Sequence, residues 1–255
     1  PQEGGEPGPP LWIFPLRKLT PPLTRNSPDY KTDGFQPSDE ECREILEYLD
    51  GPSFKVLSEH HTPTDSYVIL HDESTPWGIP GSPELRAVHV SRNQENRTFT
   101  ADSTDPPLYP MAESWLLARG CPPDALPDLD VRAAADEITR ALETRVRRDG
   151  GRFAQVDRYV GDGFDQPETV VLLRSVDPKV HPEYRVLLER HDQETGTHTL
   201  REGGFATREQ AMEWWSAWED GEAPPLPPVA SAAQRVATPA APAAPGPSTI
   251  RPPRR

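Results

Sequence analysis

Four histidines in the first half of the chain are the residues whose types could bind a metal ion. They lie among several carboxylates, and imidazole with carboxylate is a ligand set that suits several transition metals. These residues are His60, His61, His71 and His89. Their spacing matches no recognised metal-binding pattern, and they fall on several predicted strands. We interpret them as surface histidines on strands, with a metal site as the alternative, and we predict no cofactor.

The sequence lacks the short motifs of common catalytic sites. It contains no G-x-S-x-G, no H-E-x-x-H and no phosphate-binding glycine loop. The glycines of REGG (201–204) are interpreted as a turn. Cys42 lies on the apolar stripe of a predicted helix, and Cys121 precedes two prolines, a spacing that suggests neither a zinc site nor a disulfide. The sequence therefore predicts no catalytic residue and favours a protein that is not an enzyme.

Two arginines and one tryptophan are the candidate partner-binding residues. Arg86 and Arg185 each lie two positions after a glutamate, on the same face of a predicted strand. Each arginine either forms an ion pair within its sheet or is presented to an anionic ligand. Trp77 lies between proline and glycine residues in the loop DESTPWGIPGS (72–82). A loop tryptophan is a common contact for a peptide or protein partner, and the alternative is a ring folded over the sheet edge.

An internal repeat indicates which elements must position these residues. The stretch SPELRAVHVSRNQENRTFT (82–100) aligns with HPEYRVLLERHDQETGTHT (181–199) at an offset of 99 residues. The alignment contains seven identities, where average amino-acid usage gives about one by chance. The same offset holds from about residue 50 to about residue 118. The chain is therefore predicted to contain two tandem copies of one unit.

Each copy has the pattern of a helix, three or four strands and a second helix. A capping box at Ser38 predicts the start of the first helix, and Asp130 is the predicted cap of the corresponding helix in the second copy. A second capping box at Thr207 opens the last helix. Trp115 and Trp214 are expected to anchor the closing helices on their sheets. Short connections between the strands favour antiparallel pairing. The predicted fold class is α+β, built from two helix–antiparallel sheet–helix units.

Composition divides the chain into five segments. Proline is abundant, with 33 residues, and much of it lies near the two ends. The predicted segments are an extended or flexible N-terminal arm (1–36), a first repeat (37–120), a proline-rich linker (121–130), a second repeat (131–220) and a disordered proline- and alanine-rich tail (221–255).

The charge and the composition restrict the classes of partner. A formal net charge of −14 disfavours nucleic acid, since nucleic-acid binding draws most of its affinity from basic surfaces. The second unit does carry a basic cluster of Arg145, Arg147 and Arg148, at a position where cations interact favourably with a helix C-terminus.

No apolar run reaches the length of a membrane span, so no membrane partner is expected. Cysteine usage requires no oxidising compartment, so a cytoplasmic location is expected. A preference for Arg, Ala, Gly and Pro over Lys suggests a bacterial genome of high GC content.

Two resemblances concern the second unit. Its order of helix, strands and helix resembles that of double-stranded-RNA-binding domains. The stretch GGFATREQAMEWW (203–215) is similar to the run that ends the arm-binding domains of phage-type integrases. The basic loop that double-stranded-RNA-binding domains place before their last helix is replaced here by REGGFATRE (201–209), which is nearly neutral. No functional residue is transferred from either family.

These observations favour a non-catalytic binding or scaffold protein whose partner is a protein or a peptide. One alternative is a nucleic-acid-associated protein that acts through its second unit. Another alternative is an enzyme with a site in the groove between the units, where ligands commonly bind.

Overall fold

The computed structural model describes residues 28–74, 84–126, 133–161, 167–192 and 194–229. Within these ranges the chain is a mixed α+β protein with two five-stranded sheets and four helices. Trp77 lies outside the described residues. None of the described helices combines the length and the apolar character needed to cross a membrane.

The first unit contains a sheet and two helices. Its elements in chain order are β1 (Gln36–Pro37), α1 (Glu40–Leu49), β2 (Phe54–His61), β3 (Asp65–Asp72), β4 (Leu85–Asn93), β5 (Thr98–Thr104) and α2 (Tyr109–Ala118). The strand order is β1-β5-β4-β3-β2. The four long strands are antiparallel, as predicted, and β1 is parallel to β5.

The second unit repeats this arrangement. Its elements are β6 (Ala133–Ala134), α3 (Glu137–Arg147), β7 (Phe153–Gly161), β8 (Glu168–Ser175), β9 (Tyr184–Asp192), β10 (Thr197–Phe205) and α4 (Arg208–Glu219). The strand order is β6-β10-β9-β8-β7, with β6 parallel to β10. The sequence analysis did not predict β1 and β6, because a two-residue strand is too short to show alternation between apolar and polar residues.

The helix caps differ in part from the predicted ones. Asp39, not Ser38, caps α1, and its carboxylate accepts a hydrogen bond from the Cys42 amide. Asp136 caps α3 in the same way, whereas the predicted cap, Asp130, lies outside the described residues. Thr207 caps α4, as predicted. Aspartate serves both first helices because its short carboxylate reaches the free amides of the first turn.

Local irregularities recur at equivalent positions in the two units. The pairing register shifts between Val56 and Ser58 in β2, and it shifts between Gln155 and Asp157 in β7, which lie 99 residues further on. The outer edge of each sheet also bonds to its first helix in the same way. The Ala101 amide donates to Cys42 Sγ at 3.3 Å, and the Leu200 amide donates to Thr139 Oγ1 at 3.1 Å.

Each sheet is covered by a helix on both faces. In the first unit, α1 packs with Val68, Leu70 and Val88, and α2 packs on the opposite face with Ile69 and Ala87. In the second unit, α3 and α4 cover opposite faces of the sheet in the same way. Because both faces are covered, β3 and β8 carry continuous apolar runs in place of strict alternation.

The two units meet where α2 contacts α3. Leu108 and Met111, from the start of α2, belong to the apolar core that α3 forms with the second sheet. Arg147 of α3 forms an ion pair with the buried Glu113 of α2, with 3.3 Å between Nε and Oε1. The Gly150 amide donates to Ser114 Oγ at 3.2 Å. The units therefore share a core and a buried polar contact.

Parts of the segments predicted to be flexible are packed against the units. Tyr30, in the predicted N-terminal arm, is buried in the core under α1. Leu126, in the predicted linker, is buried beneath the first sheet beside α2. Residues 221–229, predicted to begin the disordered tail, are placed against the second unit, where Ala223 and Leu226 pack on its core. Gly203 and Gly204, predicted to form a turn, instead lie inside β10, so the turn prediction was wrong.

Candidate functional site

The four histidines of the first unit are divided between the two faces of its sheet. His60, Tyr67 and His89 lie opposite one another on β2, β3 and β4. Their rings stack, with centroids 6.2 Å and 4.9 Å apart. His61 points to the other face, where Nδ1 is 2.9 Å from Ser66 Oγ, and His71 pairs with a glutamate at 3.4 Å. Across the described ranges, no three His, Cys, Asp or Glu side chains are placed to hold a metal ion.

Arg86 and Arg185 both form ion pairs within their own units. Arg86 contacts the carboxylate of Asp105. Arg185 Nη1 lies 3.0 Å from the buried carboxylate of Glu202, and its guanidinium lies over the Phe153 ring at 4.4 Å. Each arginine lies near the start of the central strand of its sheet and bridges to a neighbouring segment, and most of each side chain is buried.

The basic cluster at the end of α3 is also largely engaged inside the protein. Arg145 pairs with Glu202 at 2.5 Å. Arg147 pairs with Glu113 and donates to the carbonyls of Pro123 and Leu126 at 2.8 and 3.2 Å. Two of the three cations therefore pair with carboxylates of neighbouring elements.

A network of histidines and glutamates distinguishes the second unit from the first. His198 Nε2 lies 2.7 Å from Glu143 of α3, and His191 Nε2 lies 2.7 Å from Glu189. The two histidine rings are 5.7 Å apart on paired strands. Three of these four residues have an apolar counterpart in the core of the first unit. Glu143 corresponds to Leu46, Glu189 to Val90 and His198 to Phe99. The network replaces a part of the core.

The segment after α4 turns back along that helix. Gly221 follows the C-cap residue Asp220 with φ of +73°, in the left-handed region that favours glycine. Its amide donates to the Trp218 carbonyl at 2.9 Å, and the Glu222 amide donates to the Ala217 carbonyl at 2.8 Å. These two bonds form a Schellman motif. The motif sends residues 222–229 (EAPPLPPV), called here the proline-rich segment, back along the second unit.

Two donors of the second unit bind carbonyls of the proline-rich segment. Trp214 Nε1 donates to the Pro224 carbonyl at 2.8 Å. The Gly204 amide, on the outer edge of β10, donates to the Pro227 carbonyl at 3.0 Å. The two carbonyls are three residues apart, and a polyproline II helix has about three residues per turn. Both carbonyls can therefore face the same surface.

The two glycines of β10 make room for this segment. A Cβ atom on Gly203 would lie 2.7 Å from Leu226 Cδ2. A Cβ atom on Gly204 would lie 2.4 Å from Pro182 Cγ and 3.3 Å from Val229 Cα, so Gly204 makes room for Pro182 as well as for the segment. Neither glycine needs a positive φ at this position. Their role is therefore to let another chain segment approach the strand closely.

Open space remains beside the proline-rich segment. The groove between β10 and α4 that holds this segment is called here the α4 groove, and about 460 Å³ of it remains open beside the segment. The residues that line this open part are Gly204, Phe205, Gln210, Glu213, Trp214, Ala217, Pro224, Pro225 and Pro227. The groove combines an aromatic ring, proline rings, an amide and a carboxylate. This combination suits an amphipathic, extended peptide.

The matching segment of the first unit is held more tightly. The same Schellman bonds follow α2, through the amides of Gly120 and Cys121. There, however, Leu126 is only 2 % exposed and Arg147 binds two backbone carbonyls. In the second unit, Leu226 is half-buried and its segment is held by the donors of Trp214 and Gly204.

This site was not predicted from the sequence. Trp214 was correctly predicted to anchor α4, since its ring is buried against the second sheet. The available signal was the repetition of proline pairs after the closing helix of each copy, at Pro122-Pro123 and Pro224-Pro225.

Comparison of the chain with models of protein families, with curated proteins and with solved structures finds no match.

Proposed function

We propose that this protein is a non-catalytic binding or scaffold protein whose two units arose by tandem duplication and whose partner is a protein or a peptide. The observation that carries this proposal is the α4 groove, where an extended peptide segment already lies between a tryptophan and a sheet edge. The donors that hold this segment bind backbone carbonyls, so they select an extended backbone more than a particular side chain.

Further support comes from the contrast between the two units. The closing helix α2 of the first unit is covered by α3, whereas α4 of the second unit is followed by the half-buried segment and the open groove. A shared α+β core thus presents one of its helices to a partner. Trp77, Arg86 and Arg185 remain proposed partner contacts. We also propose that the protein acts in the cytoplasm of a bacterium with a high-GC genome. The two buried, free thiols are compatible with that location.

Position-specific photocrosslinking in the native cells tests this function. A photoreactive phenylalanine at the exposed Gln210 lies on the α4 groove, and the same residue at the exposed Arg43 of α1 is the control. The proposal predicts a crosslinked partner from position 210 that is absent from position 43. Equal crosslinking from both positions, or none from either, would contradict it.

A further inference from the structure

The α4 groove holds the backbone of the chain's own proline-rich segment. The Pro224 and Pro227 carbonyls accept hydrogen bonds from Trp214 and Gly204, and Leu226 packs over Gly203. Four of the residues between 224 and 228 are proline, which restricts φ to about −65° and favours the extended helix. An aromatic surface with donors for proline carbonyls is a general solution for binding such segments.

The proline-rich segment is only partly buried, since four of its eight residues are exposed. Pro224, Pro225 and Pro228 are exposed, and Leu226 is only half-buried. The matching segment of the first unit is fixed by a buried leucine and by a cation from the following helix, as described above. The open space beside the proline-rich segment lies along its exposed proline rings.

We propose that the α4 groove binds a proline- and leucine-containing segment of a partner protein, and that residues 222–229 compete with this segment for the same binding site. The required pattern is Pro-Pro-Leu-Pro, with backbone carbonyls three residues apart bound by Trp214 Nε1 and the Gly204 amide. This inference rests on the proposed function and specifies the chemistry of the partner.

A peptide titration of the full chain tests the inference. The probe is a synthetic EAPPLPPV peptide, and the titrated protein is the full chain with Leu226→Asp, which removes the leucine contact on Gly203. Binding is read from the ¹⁵N indole resonance of Trp214, assigned with Trp214→Phe. The Leu226→Asp chain should bind the peptide at least about tenfold more tightly than the wild-type chain, because the internal segment no longer competes at high effective concentration.

Two controls separate recognition from nonspecific contact. Adding Trp214→Phe to the Leu226→Asp chain should weaken peptide binding about three- to tenfold, the range expected for one hydrogen bond. Because this variant has no Trp214 indole, its binding is read from the backbone amide resonance of Gly204, the second donor to the segment. A peptide with alanine at every proline should bind at least about tenfold more weakly, because it loses the preformed extended helix. If Leu226→Asp impairs folding, which protection of the Leu200 amide would reveal, the milder Leu226→Ser takes its place.

The possible failures have different meanings. The inference is overturned if the peptide does not shift the Trp214 indole in either Leu226 variant, or if both chains bind it equally. Self-association of the Leu226 variants that the peptide blocks would assign the groove to a second copy and would also overturn it. In these cases crosslinking at position 210 can still identify a partner without proline-rich sequence. The proposed function then stands although the partner chemistry is wrong.

Discussion

The replacement Leu226→Ala gives a quantitative test of how the proline-rich segment is held. Truncating a fully buried leucine to alanine costs about 2–5 kcal/mol. Leu226 is half-buried against Gly203 and the α4 core, so the loss should be about 1.5 kcal/mol. Since about 1.4 kcal/mol corresponds to a factor of ten, the ratio of docked to undocked segment should fall about tenfold.

Amide hydrogen exchange at Gly204 reports this docking. The Gly204 amide points from the outer edge of β10 and donates to the Pro227 carbonyl. Its protection therefore follows local opening of the segment, provided that closing is fast relative to exchange. Leu226→Ala should lower protection at Gly204 about tenfold. The exposed Glu222→Ala is the matched control in the same segment and should leave this protection unchanged.

The Leu200 amide separates local undocking from a loss of global stability. It also points from the outer edge of β10, but it donates to Thr139 Oγ1 of α3. Its protection should not change in Leu226→Ala. Unchanged protection at Gly204 would refute the reasoning, because the leucine contact would then not hold the segment. A parallel fall at both amides would refute it too, because the effect would then be global.

Three further predictions concern the shared core and the titratable groups. Burial raises the pKa of the Cys121 thiol to about 11. At pH 8 this thiol should therefore be alkylated about two orders of magnitude more slowly in the native protein than in the urea-unfolded protein. Equal alkylation rates would contradict this prediction. Arg147→Ala removes the cation beside a buried carboxylate of α2 and should lower the free energy of unfolding by about 2–4 kcal/mol in urea titrations. The exposed Arg140→Ala should change it by less than about 0.5 kcal/mol, and similar losses for both variants would argue against the inter-unit contact. A hydrogen bond from the Arg201 guanidinium holds the pKa of Asp136 well below its usual range. The ionised Asp136 carboxylate therefore stabilises the folded state above about pH 4, and this stabilisation is lost as the pH falls further. Asp136→Asn should therefore lose less stability than the wild-type chain between pH 5 and pH 2, as measured by urea unfolding, and an identical pH dependence would contradict the assignment.

Local patterns predicted the mixed α+β character of the chain and most of its long elements. Capping residues and apolar stripes are local signals, which is why α4 begins after Thr207 as predicted. The predicted cap of α1 was wrong because two neighbouring side chains, Ser38 and Asp39, can both accept a hydrogen bond from the first turn. Ser38 precedes Asp39, and the carboxylate of Asp39 takes the cap position while the Ser38 hydroxyl bonds to it at 2.9 Å.

The candidate site depends on contacts between residues that are distant in the sequence or have no recognisable pattern. Residues 222–229 are rich in proline, a composition that is typical of a disordered tail. Proline has no backbone N–H, so these residues show no pattern of a helix or a strand. Their order comes from the Gly221 turn, from the indole of Trp214 and from the bare backbone of Gly203 and Gly204. Two adjacent glycines more often indicate a turn than a strand, so no sequence pattern indicates that another segment approaches them.

A crystal structure of the full Leu226→Asp chain with the EAPPLPPV peptide is the most direct test of peptide recognition by the α4 groove. The peptide should lie along α4 with one proline carbonyl about 3 Å from Trp214 Nε1. The carbonyl three residues later should lie at the Gly204 amide, and the peptide leucine should cover Gly203. A peptide bound at any other surface, or a groove still filled by the altered internal segment at saturating peptide, would contradict this assignment.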